Sequence, residues 1–183
     1  MIAARQKQFT RNHGFTRQLP DMPHVSRVWD ILEHSSVGML TTRFAGGLRA
    51  RPLDARPDRK AGVIFFVIDV RGLKDDEVKT SPEVCFTVID ADAKAYLSIT
   101  GHADIVRDAA IAKRIWKSPD QVWWPDGPED VNVRVLRLDP KMAELWDGPA
   151  SSAIASYELA KARITGNKPN LGENRKVAFD LEG

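Results

Sequence analysis

From Ala95 to Arg107 the chain alternates between apolar and polar positions. Ala95, Leu97, Ile99, Ala103 and Ile105 point one way; Tyr96, Ser98, Thr100, His102 and Asp104 point the other. A period of two is the signature of a strand with one face on a core. Val37 to Thr42 and Leu48 to Leu53 read as two further strands, joined by a hairpin turn at Phe44-Ala45-Gly46-Gly47. Val63 to Ile68 and Val84 to Ile89 are short apolar runs rich in β-branched residues, which favours buried strands over helices. Val131 to Leu138 and Met142 to Trp146 read as two more strands, turned at Asp139-Pro140.

The period changes in four places. Asp21 and Pro23 open a helix whose Val25, Val28, Ile31 and Leu32 share a face. Leu73 to Thr80 is a short polar helix stopped by Pro82. Asp108 caps a helix running to Lys117, with Ile111, Ile115 and Trp116 on its apolar side. Ser151 or Ser152 starts a last helix, and Gly166 ends it. About seven strands with short connections predict a mainly β, α+β fold, an antiparallel sheet or small barrel with flanking helices. The expected organisation is a flexible tail over residues 1–20 and one domain over 21–183, closed by a C-terminal helix and a polar tail.

Composition narrows the class. The 183 residues are enough for one domain with a real core. A net charge of +2 argues against a dedicated nucleic-acid binder. No apolar stretch approaches a membrane span. One cysteine, Cys85, excludes an internal disulfide and fits a reducing cytoplasm. Its place in an apolar strand predicts an inert core thiol. The basic tail with Arg5, Lys7, Arg11 and Arg17 reads as solvated chain, with an organelle-targeting segment as the sharper alternative.

Familiar catalytic patterns are missing. The four histidines lack metal-ligand spacing, and neither a nucleophile elbow nor a phosphate-cradling glycine loop is present. His102 and Asp104 share a strand face and read as a surface pair. Cations remain. Arg49 and Arg51 share one face of a strand that meets Pro52, and Lys74 follows the next strand. Proline in a strand favours an edge. Cations there either protect the edge from aggregation or receive a phosphate. The cluster Trp116, Trp123, Trp124 either caps a pocket or dimer seam or forms a small core under the third helix.

Three stretches in order tip this balance: Leu48-Arg49-Ala50-Arg51-Pro52-Leu53 after two glycines; Ile64 to Asp69, Gly72-Leu73-Lys74 and Ser81 to Val84; and Leu145-Trp146-Asp147-Gly148. Together they resemble the pyridoxamine 5′-phosphate oxidase-like flavin proteins, and within them the bacterial general stress proteins. The likeness runs from about Val28 to Val177. It implies a six-stranded antiparallel Greek-key split barrel and a homodimer with FMN at the interface. It implies that Arg51, beside Arg49, reaches the FMN phosphate or ring edge. Pro52 and Leu53 would offer backbone groups to the ring, with Phe66, Val67 and Ile68 lining it. Lys74 would pair with the phosphate, and Trp146 would approach the flavin from the other subunit. Tyr96 stands where the oxidase has a flavin-contacting glutamine. Gly72 and Leu73 replace a hydroxyl and a second basic residue, which weakens phosphate binding. Pro149-Ala150-Ser151-Ser152 replaces the run that holds the oxidase's substrate, so vitamin B6 synthesis is not expected.

The implied function is an FMN-dependent oxidoreductase. A flavin-binding stress module without turnover and a cofactor-free dimeric interaction protein remain the alternatives. A single phosphate-binding set favours FMN over FAD or a deazaflavin.

Overall fold

The computed structural model of the protein describes residues 22–71, 75–148 and 152–179. The tail over 1–20, the Asp21 cap, Lys74 and Ser151 lie outside the described residues. The fold is mainly β with flanking helices: α1 (Met22–His34), β1 (Val37–Phe44), β2 (Gly47–Asp54), β3 (Arg56–Asp58), β4 (Val63–Asp69), α2 (Asp75–Thr80), β5 (Glu83–Asp90), β6 (Ala95–Val106), α3 (Ala109–Ile115), β7 (Val133–Asp147), α4 (Ser152–Thr165) and β8 (Glu173–Ala178). Two single turns of 3-10 helix, Ser118–Val122 and Gly127–Glu129, separate α3 from β7.

Among the described residues eight strands, not six or seven, form one antiparallel sheet in the order β2-β1-β5-β6-β7-β4-β3, with β8 added beside β7. The two ends of that path, β2 and β3, are consecutive in the chain and meet at Ala55, which is fully buried. The sheet must therefore curl until its edges approach, and a seam remains between β2 and β4. This is the split of the barrel.

Asp139-Pro140 is no hairpin. The residues read as two strands form one strand, β7, of 15 residues. Its first half pairs with β4 and its second half with β8, while β6 runs along the other side throughout. Pro140 falls where one neighbour gives way to the next and the register against β6 shifts, a place where a missing N–H costs no ladder bond. Gly101 lies opposite. A Cβ there would stand 2.2 Å from the Asp139 carbonyl oxygen, so only glycine lets the bulge close.

The alternation in β6 holds along its whole length: Leu97 and Ile99 are buried, Tyr96 and Thr100 exposed. The interior also takes Val28, Ile31 and Leu32 of α1, with Phe66 and Phe86 packed edge to face at 5.0 Å. Val177 of β8 and Phe179 close the bottom, Phe179 against Trp29. A second cluster joins Val63, Phe65, Val133 and Val135 to Ala112 and Trp124, with Trp116 packed against it. It is a small core under α3, one of the two readings open for the tryptophan cluster, and the α3 cap is as expected: Asp108 accepts from the Ile111 N–H at 2.9 Å. Cys85 departs from expectation. It faces outward, partly exposed, 3.3 Å from the Ser98 hydroxyl. His102 pairs with Glu83 and Lys141 on the adjacent strands, not with Asp104.

Candidate functional site

Arg49 and Arg51 sit on β2, the edge strand, and their side chains converge on one carboxylate. Arg49 Nη1 donates to Glu77 Oε1 at 3.1 Å, and Arg51 Nη2 to Glu77 Oε2 at 2.9 Å. Arg51 Nη1 also donates to Thr42 Oγ1 at 3.0 Å, and Thr42 donates to Glu77 Oε2 at 3.1 Å. Thr42 comes from β1 and Glu77 from α2, and both are buried. Phe44 lies under the Arg49 guanidinium, 4.3 Å away. Burial pushes the Glu77 carboxyl up, but the hydrogen bonds from Arg51 and Thr42 and the two positive charges outweigh it. The group titrates below the ordinary glutamate range.

A depressed carboxyl stabilises the fold above its unfolded pKa, roughly 4.3, and loses that contribution as pH falls through the folded value. Glu77→Gln should therefore lower stability by about 1–3 kcal/mol at pH 7. The difference from the parent should shrink below about pH 4. Urea midpoints at pH 7 and pH 3.5 check both statements; a constant difference would show that the charge is not what matters.

Arg51 has five guanidinium N–H donors, of which the bonds to Thr42 and Glu77 use two. The same side chain lines a groove of about 310 Å³ along the barrel seam, with Pro52, Leu53, Val67, Ile68, Asp69, Arg71, Trp123 and Trp124. That volume is at the small end of the usual range for ligand sites, roughly 300–1,000 Å³. The lining has an apolar middle, Pro52, Leu53, Val67 and Ile68, and guanidinium groups from β2 and from the end of β4. Arg71 grips Asp69 with contacts of 2.6–3.2 Å. These hydrogen bonds from Arg71 hold the Asp69 carboxyl below the usual range. Asp69 is thus an ionised acceptor at neutral pH.

The tryptophan wall is fixed from behind. The Trp123 and Trp124 N–H groups donate to the Asp120 carbonyl at 3.0 and 3.1 Å. The buried Asp120 carboxylate accepts from Lys117 N at 2.8 Å and from Arg56 Nη2 at 2.9 Å. Arg56 also donates to the carbonyls of Asp54 and Ile115 at 2.9 and 3.2 Å. Trp124 is buried and packs on Trp116 at 5.9 Å between ring centres, whereas Trp123 is 74% exposed. The cluster thus divides: Trp116 and Trp124 are core, and Trp123 faces solvent on the groove.

Of the residues singled out in the sequence, the groove brings together Arg51, Pro52, Leu53, Val67 and Ile68. Arg49 stands beside it, held by Glu77. Phe66 is not in it: alternation turns that ring into the barrel, where it is fully buried. Tyr96 and Trp146 pair with each other across β6 and β7 on the outer face of the sheet, away from the groove of their own chain. Among the described residues no cluster of His, Cys, Asp and Glu is arranged for a metal, and no helix is long and apolar enough to cross a membrane.

Residues 23–170 match the family described as pyridoxamine 5′-phosphate oxidase like. The chain belongs to that family. General stress protein 26 of Bacillus subtilis is 26% identical over 136 residues, 73% of this chain and 94% of the relative. Among solved structures, the general stress protein 26 from Jannaschia sp. CCS1 matches with a TM-score of 0.70 and 28% identity, over 87% of this chain and 99% of the other. The general stress FMN/FAD binding protein from Xanthomonas citri matches with a TM-score of 0.62 and 24% identity, over 71% of this chain and 92% of that one. The split barrel is thus shared with these pyridoxamine 5′-phosphate oxidase-like neighbours.

Proposed function

We propose that the protein binds FMN in the seam groove and uses it as an oxidoreductase whose substrate is not pyridoxamine 5′-phosphate. One observation carries the reading: the groove joins Arg51, with donors to spare, to an apolar middle of Pro52, Leu53, Val67 and Ile68. The donor set fits the ligand, since a guanidinium suits a phosphate and an apolar slot suits a planar ring. The name of the Xanthomonas citri protein, FMN/FAD binding, supports the same assignment. Bound flavin would supply the hydride or electron chemistry. The chain's residues would bind and orient it: Arg51 with Lys74 at the phosphate, Leu53 and Val67 along the ring. Asp69, ionised and facing the groove, accepts hydrogen bonds but has no proton to give at neutral pH.

The reading includes a homodimer. Val37, Met39, Ile89, Tyr96, Met142 and Trp146 are exposed apolar side chains on the outward positions of the sheet. The reading sets that face against a second copy, with Trp146 contributed to the partner's groove. Light scattering at micromolar protein should give twice the chain mass of 20.4 kDa. A monomer throughout that range would remove the shared site.

The visible spectrum and ligand mass of the purified protein test the flavin assignment. A flavin spectrum with the mass of FMN supports it. A colourless protein that takes up no added flavin favours the cofactor-free interaction protein. Reduction by NADH or NADPH, followed by reoxidation with a substrate, separates an enzyme from a flavin-holding stress module. The near-neutral charge and the single cysteine support a cytoplasmic protein without nucleic-acid or membrane partners.

A further inference from the structure

An indole as exposed as that of Trp123 is unusual, because tryptophan normally buries most of its large apolar area. Disorder does not explain it. The backbone N–H groups of Trp123 and Trp124 are both tied to the Asp120 carbonyl, and the Asp120 carboxylate is locked to Arg56. The neighbouring Trp124 fills the core beneath it. The chain thus spends a buried ion pair and a buried tryptophan on holding an apolar plate in water. That plate lines the same groove as Pro52, Leu53, Val67 and Ile68.

We propose that Trp123 is the ring-contacting wall of the groove: its indole packs against a planar aromatic ligand ring seated on Leu53 and Val67, independently of any phosphate. This rests on the flavin reading above and adds to it a residue that recognises the ring itself. It divides recognition between two places. Arg51 selects for the phosphate, and Trp123 selects for a flat, extended ring. It also makes the loop from α3 to β7, and not the barrel strands alone, the part of the chain that sets which ring fits.

Riboflavin and FMN serve as probes, titrated into flavin-free full-length protein. Trp123→Ala should weaken both ligands by the same factor, roughly 10- to 50-fold, as stacking losses on truncation of an aromatic usually do. Trp123→Phe should recover most of that loss, because a smaller ring still stacks. The quenching of tryptophan emission by ligand should shrink in both variants. The side chain is exposed, so the melting temperature should stay close to that of the parent. If the parent binds flavin and Trp123→Ala binds it equally well, the wall assignment falls and the groove reading stands. If only FMN is weakened, Trp123 acts at the phosphate and the ring assignment falls. If the alanine variant becomes monomeric at unchanged affinity per chain, the indole is a subunit contact. If the parent binds neither probe, the flavin reading itself fails and takes the inference with it.

Discussion

Arg51→Ala is expected to weaken FMN roughly 10- to 100-fold, the loss of one or two charge-assisted hydrogen bonds worth about 1.5–3 kcal/mol each. Riboflavin, which has no phosphate, should bind the variant almost as it binds the parent. Arg51→Lys should not restore FMN. A point charge lacks the planar fork that spans Thr42, Glu77 and a third acceptor at once. Lys74→Ala should give a comparable loss, and the two effects should fall short of additive where both groups meet one phosphate. Fluorescence titration of the parent, both single variants and the double variant with each ligand measures all of this. Equal FMN affinity in the four proteins would show that the cations only protect the β2 edge and neutralise Glu77. The expected effect is bounded by Glu77 itself, because that carboxylate already neutralises part of the positive charge a phosphate would meet.

Phe66→Ala is expected to cost about 3–5 kcal/mol of stability, because the ring is fully buried against Phe86 in the main core. For a domain of this size each kcal/mol moves the melting temperature by roughly 2–4 °C, so a fall of about 10 °C is expected. The folded fraction should still bind flavin like the parent. Val67→Ala, one residue along, should show the opposite balance: a small loss of stability and a clear loss of ligand, since that side chain is half-buried on the groove. Calorimetry combined with titration distinguishes them. A stable Phe66→Ala protein that no longer binds would place the ring in the groove after all.

These two neighbours show what the sequence made legible. The strand was plain from its β-branched run, and so was the hairpin before it, because both signals are local. A run of three lining residues ignored the alternation that sends Phe66 inward. Ile68 is buried as well but reaches the groove near the end of β4. The strands β3 and β8 carry no such signal. They are short and rich in charge, and they exist because β4 and β7 offer them an edge. One strand was read as two at Pro140, since nothing nearby revealed that β7 exchanges β4 for β8 there. In the site, Arg51, Pro52 and Leu53 stood out by type and spacing. Glu77 did not: it lies 26 residues from Arg51, and only the placement of α2 brings them together. Arg71 and Trp123 likewise acquire meaning from the seam, which no local pattern encodes.

The Ala55 corner has a mechanical consequence. Ala55 N donates to Ser36 O at 2.8 Å, and the adjacent Arg56 ties β2 through Asp54, α3 through Ile115 and the tryptophan loop through Asp120. Two walls of the groove therefore leave from one rivet. If the seam opens, β2 swings about that point together with β1, to which it is paired along its whole length, like one jaw of a pair of tongs. At roughly 3.3 Å per residue, Leu53 lies about 7 Å from the pivot and Arg49 about 20 Å. The same small rotation therefore carries Arg49 three times as far as Leu53, so the Leu53 end of the jaw stays nearly still while the cationic tip does the travelling.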